Sequence, residues 1–152
     1  MLRLLLLLVL VPFAGNAQTE SPDDNYNQSL ADSLGADQYG MRMYQFVILK
    51  TGDSAITDKD KVATIFKGHM ENISKLVAAN KLIVAGPFAK NPQQYRGLFI
   101  FTTKTKEATE ALLASDPAVK SGLLKAEIYG WYGSAALPMY LPVHKQIEKT
   151  NH

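Results

Sequence analysis

The chain has 152 residues, 47% of them hydrophobic, and a formal net charge of +2. That length supports one domain with a real core and is too short for two. The absence of cysteine excludes disulfides, thiolate-bound zinc, thiol nucleophiles and cysteine-linked lipids.

Residues 1–17, MLRLLLLLVLVPFAGNA, carry Arg3, a leucine-rich run and then Gly15-Asn16-Ala17. This charged, apolar and small-residue order is that of a secretory signal peptide, with cleavage expected after Ala17. The apolar run from Leu4 to Ala14 is shorter than the roughly 20 residues that span a bilayer. An exported protein, periplasmic or secreted, is therefore expected, with no stable membrane insertion after cleavage. Residues 18–40 hold five acids (Glu20, Asp23, Asp24, Asp32 and Asp37) and no Lys or Arg. They read as a polar linker with one short helical turn around Ser29–Leu34. Residues 41–152 hold 15 basic and 9 acidic residues, spread along the chain rather than clustered, which argues against a nucleic-acid partner.

The domain proper spans 41–133. Met43–Lys50 is a strand by its β-branched and aromatic content. Thr57, with Asp60 three residues on, forms a T-x-x-D pattern that caps a helix running to about Asn80. Val62, Phe66, His69, Ile73, Leu76 and Asn80 step by four and three along it, so they form one stripe. Leu82–Pro87 and Gly97–Thr102 are two further strands. A second helix covers Thr105–Ser115, with Ala108, Ala111, Leu112 and Ser115 on its inner face. Asp116-Pro117 opens a short turn, and Lys125–Tyr132 is the last strand. The order βαββαβ is α+β, a ferredoxin-like unit whose antiparallel four-stranded sheet carries both helices on one face.

In that architecture the other face should alternate apolar and polar residues if it meets water. FVIL, LIVA and LFIF are instead apolar throughout, so something must cover it. The favoured cover is the same face of a second copy, a homodimer. The rival is the C-terminal tail, 134–152, through Leu137, Tyr140, Leu141 and Val143; beside a dimer it would be a rim or arm.

Two neighbouring positions stand out in the segment KGHMENI. Gly68 costs about 1 kcal/mol against alanine inside a helix. It marks either a close approach or space left for a ligand. His69 lies on the apolar stripe, where a buried imidazole needs a partner for its ring nitrogens. Asp116 is the candidate partner. Followed by Pro117 it is a helix cap, yet a carboxylate has a second oxygen to offer. Gly86 and Pro87 could shape a pocket wall, although Gly-Pro also makes a plain turn. Arg96, before a strand, would meet an anionic substrate or stay a solvated edge charge. The three histidines show no ligand spacing, so no metal and no cofactor is expected. Asn27-Gln28-Ser29 and Asn72-Ile73-Ser74 match the glycosylation pattern.

From Tyr44 to Trp131 the chain resembles the YCII-related family of small dimeric α/β-barrel proteins. The resemblance is carried by the helical histidine and leucine (His69, Leu76), Ala85-Gly86-Pro87 at a strand end, Gly97, Asp116-Pro117, and Ile128 with Trp131. The linker and the C-terminal tail lie outside it. It implies a catalytic histidine–aspartate dyad, which maps onto His69 and Asp116. Related members include a dehydrochlorinase of chlorinated hydroxyhydroquinones, and the wider class includes lactone isomerases and haem proteins. With no convincing nucleophile, proton transfer, elimination or isomerisation on a small organic molecule is favoured over acyl transfer. The alternative is a non-catalytic ligand-binding or scaffold protein in which His69 is a structural donor and Asp116 only a cap.

Overall fold

A computed structural model describes residues 25–150. The expected signal peptide, three of the five acids of the linker and His152 lie outside them. Among the described residues no helix is long and apolar enough to cross a membrane.

A first helix, α1 (Gln28–Leu34), starts where the Asn27 side chain accepts from Leu30 N and stops at Gly35, whose φ of 65° lies in the left-handed region. Strand β1 (Met41–Thr51) follows, then α2 (Lys59–Ala78), β2 (Leu82–Pro87), β3 (Tyr95–Phe101), α3 (Lys106–Leu113), the one-turn α4 (Pro117–Lys120) and β4 (Leu124–Ser134). The tail forms a 3-10 turn, Leu137–Tyr140, and α5 (Leu141–Ile147). The four strands are antiparallel in the order β2-β3-β1-β4, which is the expected ferredoxin-like sheet.

The helix-side core is built from Val47 and Leu49 of β1, Leu82 of β2, and Phe99 and Phe101 of β3. Leu76 of α2, Leu113 of α3, Ala118 of α4 and Leu124 of β4 complete it. Two helix details depart from expectation. Asp58, not Thr57, caps α2, its carboxylate accepting from Lys61 N. On α3 the buried residues are Thr109 and Leu113, so the inner face is turned from the expected Ala108, Ala111 and Ser115, which are exposed. A threonine can take that place because its hydroxyl bonds Thr105 O and Thr103 Oγ1. That satisfies a polar atom that periodicity counts as surface.

On the other face Tyr44, Ile83 and Ile100 are buried, with Leu137 and Leu141 of the tail packed against them. Tyr140 donates to the Ile83 carbonyl. The tail therefore covers one end of this face rather than acting only as an arm. Away from it, Phe46, Ile48 and Leu98 stay half-buried, and Tyr129 and Trp131 are exposed beside them.

The segment before β1 is tied down as well. Arg42 donates to Leu34 O, and the Tyr132 hydroxyl donates to Asp37, whose other oxygen accepts from Tyr39 N and Met41 N. The Tyr132 hydroxyl holds the Asp37 pKa below its ordinary 3.8, and Asp37 pushes Tyr132 up to about 12 from 10. The contribution of this bond is thus complete between those ordinary values. It is lost as pH falls through the lowered carboxylate value, or as it rises toward the raised phenol value. Tyr132→Phe should unfold more easily at neutral pH. The gap from wild type should close in both acid and alkali, as followed by denaturant midpoints. A gap that does not change with pH would show that the bond is unimportant in solution.

Candidate active site

His69 and Asp116 come together because two local features coincide. Asp116 begins α4 as its N-cap, its Oδ1 accepting from Ala118 N at 2.9 Å and Val119 N at 3.4 Å. Pro117 at the first helical position has no N–H to satisfy. Its ring lies over Gly68: a Cβ built there would stand 3.0 Å from Pro117 Cγ. The space expected beside Gly68 for a ligand is thus filled by Pro117. The glycine instead lets α4 approach α2 closely enough for the cap residue to reach the histidine that follows.

The reach is complete. Asp116 Oδ2 lies 2.7 Å from His69 Nδ1, and both side chains are buried, 1% and 9% exposed. Asp116 thus uses one oxygen as a cap and the other on the imidazole. The same Oδ2 accepts from Asn72 Nδ2 at 3.4 Å, and Asn72 Oδ1 accepts from Ser115 Oγ at 3.3 Å. With three N–H donors already on it, the carboxylate serves as an acceptor, so His69 Nδ1 must carry the proton in the neutral ring.

That leaves Nε2. No hydrogen bond among the described residues reaches it, and no buried polar side-chain atom lacks a partner, so Nε2 touches solvent. The ring is held by the Phe99 ring, stacked with centroids 5.9 Å apart, and by a T-shaped contact with Phe66 at 5.8 Å. The result is an imidazole fixed in place and tautomer, with the Nε2 lone pair left without a partner among the described residues.

The other expected residues stand elsewhere. Gly86 and Pro87 pair with Leu98 and Gly97 at the exposed end of β2, where a Cβ on Gly97 would come within 3.1 Å of Gly86 O. Arg96 is within β3, not before it, and exposed. No hydrogen bond, ion pair or ring contact joins these three to His69 or Asp116. Two cavities are lined by neither residue of the pair. One of about 690 Å³ lies among α3, α4 and β4, and one of about 340 Å³ lies between α1, the sheet and the tail. Among the described residues no group of three or more His, Asp or Glu gathers as a metal site.

Asn72 was not singled out as a site residue, only as a glycosylation match. The signal was present: it follows His69 by three, so both lie on one side of α2.

No family model and no curated protein matches the chain. Among solved structures, 5-chloro-2-hydroxyhydroquinone dehydrochlorinase (TftG) from Burkholderia phenoliruptrix AC1100, in complex with 2,5-dihydroxybenzoquinone, is similar at 18% identity. The match covers 57% of this chain and 92% of that one, with a TM-score of 0.43.

Proposed function

We propose that the chain is an exported, YCII-like small-molecule enzyme of lyase or isomerase type, with His69 as its proton-transfer group and Asp116 as the residue that orients it. The observation that carries this reading is the 2.7 Å contact at Nδ1 together with an unpartnered, solvent-touching Nε2. A substrate C–H or O–H placed at Nε2 gives its proton to the ring, and the Asp116 carboxylate stabilises the imidazolium that forms. The same proton then returns to another substrate atom, completing an isomerisation, or follows a leaving group. Export rests on the sequence of residues 1–17. The reading includes a homodimer through the uncovered part of the sheet face, where Phe46, Ile48, Leu98 and Tyr129 share one side of neighbouring strands.

The second reading is a non-catalytic binding or scaffold protein, favoured by the burial of His69 between Phe66 and Phe99 and by cavities that open elsewhere. One experiment separates them. The mature protein is screened for turnover of small organic molecules with an ionisable C–H or O–H, beside His69→Gln. Glutamine can still donate to Asp116, so the variant should fold. Turnover that disappears in the folded variant is the expected result. Equal turnover in both proteins, or none in wild type across the panel, would leave the scaffold reading in its place.

A further inference from the structure

The two segments outside the resemblance, the linker helix and the C-terminal tail, both flank the sheet on the side opposite the His69 face. Between them lies the cavity of about 340 Å³, lined by residues of α1, β1, β2, the end of β3 and the tail. The charged side chain in its lining is Arg42. Its guanidinium sits over the Tyr44 ring, 5.2 Å from the centroid, and gives one hydrogen bond to Leu34 O at 2.9 Å. A guanidinium carries five N–H donors. The guanidinium of Arg42 forms no other hydrogen bond and no ion pair among the described residues.

The rest of the lining is complementary to this cation. Ser33 Oγ donates to Leu30 O and Thr102 Oγ1 donates to Asn80 O, so both hydroxyls have committed their protons and offer lone pairs. Leu34, Ile83 and Leu141 supply apolar wall. A cation with spare donors, two hydroxyl acceptors and an aliphatic wall match a molecule with a carboxylate, a hydroxyl and an apolar body.

We infer that this cavity is a second ligand site, for a small hydroxylated organic carboxylate held through Arg42. It is independent of the proton chemistry proposed at His69. Carboxylates pair with guanidinium in a fork-to-fork geometry that a neutral amide cannot reproduce. The linker helix and the tail, which add nothing to the His69 site, then have a shared role as the two walls of this one.

The test uses the mature protein with 4-hydroxybenzoate and its neutral counterpart 4-hydroxybenzamide, followed by methyl NMR shifts of Leu34, Ile83 and Leu141. The expected result is saturable shifts at these methyls with the acid, and binding of the amide weaker by about tenfold or more. Arg42→Gln should remove the difference between the two probes. Because that variant also loses the bond to Leu34, Leu141→Trp provides a second check: it fills the cavity, keeps Arg42 and should abolish binding. Equal binding of acid and amide, unchanged binding in Leu141→Trp, no shifts at millimolar probe, or shifts confined to Phe66, His69 and Phe99 would overturn the inference.

Discussion

Asp116→Ala is expected to destabilise the protein by about 2–4 kcal/mol, read from denaturant unfolding. The figure combines two losses at one residue that is 1% exposed. Removing a helix cap costs about 1 kcal/mol, here the bonds to Ala118 N and Val119 N. Leaving the buried His69 Nδ1–H without an acceptor costs about 1–3 kcal/mol more. The contribution from the cap should survive in His69→Ala, whereas the contribution from the imidazole should not. The double variant is therefore expected to be less destabilised than the sum of the two single ones. A loss below about 1 kcal/mol in Asp116→Ala would mean that the two groups are not joined in solution as they are here.

Gly52→Ala should be comparably severe, for a reason that has nothing to do with the site's chemistry. Gly52 follows β1 and lies against the turn that leads from α4 into β4, with Gly52 N donating to Leu123 O and Ser54 N to Gly122 O. A Cβ on Gly52 would stand 2.0 Å from Gly122 O and 2.8 Å from Gly122 C. Those atoms are backbone and cannot swing aside, so the two segments must separate. Overpacking of this kind typically costs 1–3 kcal/mol, and a backbone neighbour puts this case at about 3 or above. The displaced turn follows α4 directly, so the shift also reaches the element that carries Asp116. Ser54→Ala nearby keeps the Cβ and the backbone bond to Gly122 O, losing only the long 3.4 Å bond that Ser54 Oγ accepts from Ile56 N; it serves as the control, with an expected change of about 0.5 kcal/mol. A Gly52→Ala protein as stable as that control would contradict the packing of this turn.

The architecture was legible because its signals are local and agree. The four-three stepping of Val62, Phe66, His69, Ile73 and Leu76, the β-branched strands and the Asp116-Pro117 helix start each mark one element, and their order leaves few topologies. The face of α3 was misread because Thr109 is buried through its own hydrogen bonds, which apolar periodicity does not register. The tail's packing was legible only as a rival cover, since Leu137 and Leu141 do not say which surface they meet. The distance between His69 and Asp116 depends on how closely two helices approach, which neither residue encodes alone. Gly68 was the clue to that approach. Its partner, Pro117, was visible only as part of a helix start, because contact between positions 49 residues apart is a property of the fold. Asn72 was missed because an asparagine on a helix has many uses, and only the placed carboxylate selects one.

The central claim is that Asp116 fixes His69 with its proton on Nδ1 and its lone pair on Nε2. The most direct test is the ¹⁵N spectrum of the imidazole nitrogens of the protein at alkaline pH, with His69 assigned against His69→Gln. The account predicts Nδ1 protonated and Nε2 bare in wild type. In Asp116→Asn an amide N–H₂ can face Nδ1, and the proton should move to Nε2. A wild-type ring protonated at Nε2, or a tautomer unchanged in Asp116→Asn, would contradict it.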